Sequence, residues 1–180
     1  FLLVGMMVGG LQAIPAPAYP QSMTVQVTDV YPVPAKERAL QHKKRGDEFR
    51  VLDDIGHAGE EYGRALSLYR GFSVEDRIMM ARYLSWSGRF DEAIRELNAI
   101  LSEDPGNADA RIHLARCMAW KGDLRGSLDE SSKVLAVSPD NRDALLVRAN
   151  ALKWSGNPNA GMSIYKGLLK RGEDFDTRLG

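Results

Sequence analysis

Cysteine and histidine are scarce in this chain of 180 residues, which contains one cysteine and three histidines. Cys117 has no second cysteine with which to form an intrachain disulfide, so the fold is not one held together by such bonds. So few thiol and imidazole groups also leave little material for a metal site. We therefore expect no metal and no cofactor.

An excess of charge of either sign is also missing. Lysine and arginine together number 24, and aspartate and glutamate together number 24. No global electrostatic field therefore attracts nucleic acid or an acidic membrane surface, and neither is an expected partner.

Charged side chains are absent from the start of the chain, where Phe1 to Leu11 form an apolar run. This run is too short to cross a bilayer as a helix, which takes about 20 residues. It is typical of the apolar core of a secretory signal, and Ala16-Pro17-Ala18 offers a small-x-small cleavage pattern. The sequence predicts a signal peptide over 1–18 and export to the periplasm or outer membrane, with an uncleaved anchor as the alternative.

Residues 19–38 contain three prolines and are predicted to form an extended linker.

A period of 34 residues organises the rest of the chain. Three tryptophans stand at this spacing, each followed two residues later by glycine: Trp86 and Gly88, Trp120 and Gly122, Trp154 and Gly156. Self-similarity at such a period is typical of stacked structural repeats. Small residues recur in the same register, seven positions before each glycine and five positions after it: Ala81, Ala115 and Ala149, then Ala93, Ser127 and Gly161. Such positions allow two helices to cross closely.

The ends of the helices carry capping signals. Ser73 and Asn107 are placed to accept hydrogen bonds from the first turns of two helices, and Asp140 with Asp143 resembles a capping box. Pro158 suits the first position of a helix. These signals divide the array into copies at 74–107, 108–141 and 142–175.

Two weaker stretches flank the three copies. A degenerate first copy is predicted over 39–73, where the turn lacks the tryptophan. Residues 176–180 resume the pattern of a first helix, so we expect a truncated further helix there and a natural protein that continues beyond Gly180.

These motifs resemble the tetratricopeptide repeat family over about 39–175. The resemblance implies an all-α fold, a right-handed superhelical array of antiparallel helix pairs (an α-solenoid). The pattern Ala-x-x-Leu-x-Trp-x-Gly followed by Pro-x-Asn-x-Asp-Ala is similar to periplasmic repeat domains of bacterial outer-membrane proteins, of the YaiO-like and exopolysaccharide-secretion types.

The resemblance further implies that the first helices line a concave groove that holds a protein or polymer partner. The partner-binding positions would be Glu75, Ile78, Arg82, Asp109, Ile112, Arg116, Asp143, Leu146, Asn150 and Lys153. Relatives that clamp a chaperone C-terminal carboxylate carry lysine and asparagine where Ile78 and Arg82 stand, so that clamp is absent.

Three features remain open to two interpretations. The tryptophans either pack in the interfaces between repeats, which the strict period favours, or form a strip on which a ligand stacks. Arg82 and Arg116 either bind a charged ligand or pair with an acid of the following repeat. His113 and Cys117 share a helix face, but a catalytic or metal site would need further groups. A thiol packed in the core is favoured.

Together these observations predict a non-enzymatic scaffold of the bacterial cell envelope, as the periplasmic part of an export assembly. The alternative is a purely structural assembly or oligomerisation module, attached to a barrel or a catalytic domain beyond Gly180.

Overall fold

The computed structural model describes the backbone of residues 33–179 and the side chains of residues 33–171. The predicted signal peptide and most of the predicted linker lie outside the described residues. Within the described part the chain forms eight α-helices: α1 Ala35–Val51, α2 Ile55–Leu68, α3 Val74–Trp86, α4 Phe90–Glu103, α5 Ala108–Lys121, α6 Leu124–Val137, α7 Arg142–Trp154 and α8 Pro158–Leu179.

The helices are arranged in pairs. Turns of two or three residues join α1 to α2, α3 to α4, α5 to α6 and α7 to α8. Turns this short make the two helices of a pair antiparallel neighbours. Strong contacts join only helices that follow each other in the chain, together with α3 and α5 and α5 and α7. The predicted all-α array of helix pairs is confirmed. The first helices α3, α5 and α7 begin at the first residues of the three predicted copies.

The turn glycines have the left-handed backbone conformation that closes each helix pair. The φ angles of Gly88, Gly122 and Gly156 are 81°, 97° and 84°. Side chains disfavour this region because Cβ then approaches the following carbonyl oxygen, whereas glycine has no Cβ. In the degenerate copy the equivalent position is Asp53, which has a φ of 57°. The missing glycine therefore leaves a strained turn without changing the fold.

The small residues mark close crossings, as predicted. Ala81, Ala93, Ala115, Ser127 and Ala149 have no exposed surface. In the last pair the crossing leaves no room for a side chain, since a Cβ added to Gly161 would lie 2.6 Å from the carbonyl oxygen of Ala149.

Side-chain caps begin several of the helices. The Asp76 amide donates to Ser73 Oγ at 3.1 Å, and the Ala110 amide donates to Asn107 Oδ1 at 2.9 Å. Both predicted caps are confirmed. The capping box predicted at Asp140 is wrong, because the cap of α7 is Asn141, whose Oδ1 accepts from the Ala144 amide at 2.9 Å.

A buried ion pair, which no sequence pattern predicts, links the two helices within a copy. Arg77 Nε on α3 donates to Glu96 Oε1 on α4 at 2.5 Å, and both side chains are almost fully buried. Arg77 also donates to Glu103 Oε2 at 2.7 Å.

The same two positions recur in every helix pair with changing chemistry. Arg111 donates to Glu130 at 2.7 Å in the next pair, where both side chains are less buried. In the degenerate copy His42 Nδ1 lies 2.7 Å from Glu61 Oε2. In the last pair the positions hold Leu145 and Ile164. The polar link of the first three pairs is therefore absent from the last one.

Two predicted boundaries are wrong. The predicted linker extends to residue 38, but α1 begins at Ala35, directly after Pro34, whose fixed φ suits a helix start. The further helix predicted at 176–180 is not separate, since α8 runs without a break to Leu179. The two preceding copies have a proline after the second helix, but the last has Glu173, which does not stop a helix.

None of the helices in the described part is both long enough and apolar enough to span a bilayer.

Candidate ligand-binding groove

The first helices of the three copies lie side by side and present equivalent residues on one face. Starting from the first turn, the positions on this face are spaced by three, four and four residues, a spacing that keeps side chains on one side of a helix. We call this face the groove. Its four rows are an acidic row (Glu75, Asp109, Asp143), an aliphatic row (Ile78, Ile112, Leu146), a row of two arginines and an asparagine (Arg82, Arg116, Asn150), and an indole row (Trp86, Trp120, Trp154).

Two cavities lie along the groove. The first, between α3 and α5, has a volume of about 250 Å³. Four predicted groove residues line it, together with others that the sequence pattern did not select: Glu75, Ile78, Arg82 and Asp109, then Val74, Met79, Asn107 and His113. We call this cavity the α3–α5 cleft.

The second cavity, between α5 and α7, has a volume of about 200 Å³. Three predicted groove residues line it, with two of the tryptophans and an apolar floor: Arg116, Leu146 and Asn150, then Trp120, Trp154, Ala119 and Val147. We call this cavity the α5–α7 cleft.

Three predicted groove residues line neither cleft. Asp143 and Lys153 are exposed beside the α5–α7 cleft. The prediction of Ile112 as a ligand-facing residue is wrong, because it is 4% exposed and packs with Val134, Ala144 and Val147. Its side chain fills the space beneath α7 and forms part of the groove's support.

The indoles pack on the array with part of their surface and expose the rest, and the stacking of a ligand on them stays a prediction. Trp86, Trp120 and Trp154 are 41%, 39% and 45% exposed. Each lies four residues after another groove position, on the same face of its helix. The period of 34 residues shows that the three environments are equivalent, but equivalence does not imply burial.

The two arginines of the groove differ in their surroundings. The Arg82 guanidinium stacks over the Trp86 ring at 5.0 Å, and its Nε is buried without a hydrogen-bond partner among the described residues. Arg116 Nη2 lies 4.0 Å from Asp143 Oδ1, the limit of an ion pair. Pairing with the acid of the next copy is therefore weak for Arg116, and among the described residues no such pair forms for Arg82.

His113 and Cys117 do not form a reactive pair. Burial, then the charges of Arg116 and Arg82, lower the pKa of His113 to about 4. Burial raises the pKa of the Cys117 thiol, which is 2% exposed within the main hydrophobic cluster. The core position predicted for this thiol is confirmed. Across the part of the chain that the structure describes, no three His, Cys, Asp or Glu side chains are grouped so that they could hold a metal ion.

Comparison with known proteins supports the repeat assignment. Residues 86–129 match the family model described as tetratricopeptide repeat. No curated protein matches the chain significantly.

Several solved structures share the fold. The crystal structure of MamA superposes with a TM-score of 0.60 at 16% identity, covering 77% of this chain and 81% of MamA. YrrB, described as a tetratricopeptide protein with an unusual peptide-binding site, has a TM-score of 0.56 at 18% identity, covering 70% and 64% of the two chains. The second such domain of human RPAP3, in complex with an HSP70 peptide, has a TM-score of 0.52 at 19% identity, covering 65% and 97%. At these identities the likeness shows the tetratricopeptide-repeat fold.

Proposed function

Starting from this tetratricopeptide-repeat fold, we propose that the chain is a non-enzymatic scaffold that binds an extended segment of a partner protein along the groove. We further propose that it does so in the bacterial cell envelope, as part of an export assembly.

One observation carries the binding proposal: the first helices present, on a single face, two arginines without a close ion-pair partner among the described residues and three partly exposed indoles. An unpaired buried donor such as Arg82 Nε destabilises a fold by about 1–3 kcal/mol. Arg116, at 4.0 Å from Asp143, gains at most about 1 kcal/mol from that pair. The Arg116 guanidinium, whose side chain is 28% exposed, is therefore available to a ligand.

Two structural neighbours support a peptide as the ligand. YrrB is described as having a peptide-binding site, and the RPAP3 domain was solved with a bound peptide. A stiff array suits this role, because its side chains vary while the framework that positions them is kept.

The binding proposal is tested by partner capture from an envelope extract, using chemical crosslinking. We expect the double variant Arg82→Ala, Arg116→Ala to capture at least about tenfold less partner, since central arginines are frequent determinants of binding. Arg125→Ala is the matched control, because Arg125 is exposed on α6, away from the groove. Unchanged capture by the double variant, with both variants equally stable to heat, would contradict the proposal.

The envelope proposal is supported by the apolar segment Phe1–Leu11 and the cleavage pattern at Ala16-Pro17-Ala18. It is tested by fusing the chain to a reporter enzyme that is active only outside the cytoplasm. We expect reporter activity with residues 1–18 present and none when they are deleted. Equal activity of the two fusions would refute export by this segment.

A second candidate function is assembly between copies of the chain. It is favoured by two apolar side chains on α8, Met162 and Leu169, which are 54% and 67% exposed. Sedimentation analysis would then show an oligomer that the variant Met162→Glu, Leu169→Glu dissociates. A monomer at all concentrations would exclude this candidate.

A further inference from the structure

We propose that the α5–α7 cleft is a specificity pocket that accepts an aromatic side chain of the partner segment, with an acidic residue of that segment beside it on Arg116. This inference rests on the proposed binding of a protein segment and adds which residues of that segment are selected.

The size of the cleft fits one ring. Its volume is about 200 Å³. An apolar cavity of about 150 Å³ in another protein is large enough to hold benzene. A phenyl or phenol ring therefore fits between the two helices.

The walls of the cleft suit a planar apolar group. Trp120 and Trp154 each keep about two fifths of their surface exposed, and the floor is formed by Ala119, Leu146 and Val147. Aromatic rings attract one another in offset-stacked or edge-to-face arrangements beyond the effect of area alone. Indoles held at the edge of a cleft are also frequent centres of binding energy in protein interfaces.

The charges around the cleft favour an acid next to the ring. Arg116 lines the cleft, and Lys153 Nζ lies over the Trp154 ring at 5.9 Å. Asp143, the acid closest to Arg116, is 4.0 Å away and largely exposed, so it neutralises that arginine poorly. A cationic ligand would meet these two cations, whereas a carboxylate can accept two hydrogen bonds from a guanidinium.

Asn150 adds a donor for the main chain of the ligand. The Tyr165 hydroxyl donates to Asn150 Oδ1 at 2.7 Å. The amide oxygen is thereby engaged, and the NH₂ group of Asn150 is left to donate to a carbonyl of the bound segment.

The test uses the full chain to select peptides from a displayed library of random sequences. The library peptides have about 12 residues, the length of an extended segment that crosses two clefts. We expect peptides that combine Phe, Tyr or Trp with a neighbouring Asp or Glu. Replacing the ring of the best peptide by alanine should weaken binding to the wild type at least about tenfold. The same replacement should weaken binding to the variant Trp120→Ala, Trp154→Ala less than about twofold, because the pocket is already lost.

Trp86→Ala is the positional control, since it removes an equally exposed indole that lies outside the cleft. The ring preference should persist in this variant. Melting temperatures and helical circular dichroism check that all variants are folded, and the ratio of ring to alanine affinities is internal to each variant.

Four outcomes overturn the inference. Selected peptides without a ring preference, or with one that survives loss of both cleft tryptophans, would refute the pocket and leave groove binding intact. A library that yields no peptide, while crosslinked capture of a protein still depends on Arg82 and Arg116, would refute it as well. The inference is also refuted if soluble envelope oligosaccharides protect Trp120 and Trp154 from fluorescence quenching and no peptide does so. The cleft would then bind a glycan.

Discussion

The buried ion pair between Arg77 and Glu96 yields the sharpest prediction for stability. Glu96→Ala removes the partner of a guanidinium that is 3% exposed. Loss of one partner of a buried pair costs about 3–5 kcal/mol, because the remaining charge is buried without compensation. Arg77 keeps its bond to Glu103, an exposed carboxylate, so we expect a loss near the lower limit, about 3 kcal/mol.

The chain itself supplies the matched replacement. The last helix pair holds Leu145 and Ile164 at the equivalent positions. The double variant Arg77→Leu, Glu96→Ile transfers this apolar pair to the earlier copy. Well-packed apolar residues often replace a buried ion pair with no loss or with a gain of about 1–4 kcal/mol. We therefore expect the double variant to be at least as stable as the wild type.

A third variant grades the effect of burial. Glu130→Ala breaks the equivalent pair in the next copy, where the Arg111 and Glu130 side chains are 18% and 14% exposed. We expect a smaller loss, about 1–2 kcal/mol, because water reaches the remaining charge. Urea unfolding followed by far-ultraviolet circular dichroism measures all three free energies. A double variant as unstable as Glu96→Ala would refute the reasoning, since the burial of an unpaired charge would then not explain the loss.

Three further predictions concern single residues. The pKa of His113 is about 4 in the fold against about 6.5 when exposed, so the neutral ring stabilises the fold above pH 6.5 and that stability is lost as the pH falls toward 4. At about pH 5 this loss is about 2 kcal/mol for the wild type. The variant His113→Gln lacks the titrating ring, so its unfolding free energy should fall by about 2 kcal/mol less between neutral pH and pH 5. Equal falls in the two proteins would contradict this. Cys117, buried and with a raised pKa, should react with a thiol reagent only after unfolding, and immediate reaction of the folded chain would count against its core position. Asp53→Gly should relieve the left-handed strain at φ 57° and raise the melting temperature by about 2 °C, whereas a lower temperature would show that the aspartate is not strained.

The repeat and its helices could be predicted from the sequence because a few positions allow little choice. The three main copies share local requirements that a 34-residue register makes visible. These are a glycine with positive φ at the turn, small residues at the crossing, and caps such as Ser73 and Asn107. The same register explains the error at the end of the chain. The repeat pattern predicts the same helix end in every copy. In the last copy, however, Glu173 stands where the earlier copies have the proline that ends the helix.

The buried ion pairs and the candidate site were less predictable because their properties depend on distances between helices. The Arg77–Glu96 and Arg111–Glu130 pairs join residues 19 apart on opposite helices, a spacing that no helical or strand period selects. Ile112 and Leu146 share one sequence register. Ile112 on α5 is nevertheless covered by side chains of α7, whereas Leu146, on α7 itself, lines a cleft. The partial exposure of Trp120 and Trp154 likewise depends on how α5 and α7 approach each other.

The pairing of each helix almost entirely with its neighbours has a consequence for how the molecule opens. With strong contacts confined to adjacent helices and adjacent first helices, α8 can detach without disturbing α3 or α4. Free energies of opening measured by amide hydrogen exchange should then rise from the outer helices to the middle of the chain. A partner seated across α5 and α7 should then slow exchange most in the helix pairs that contain these two helices.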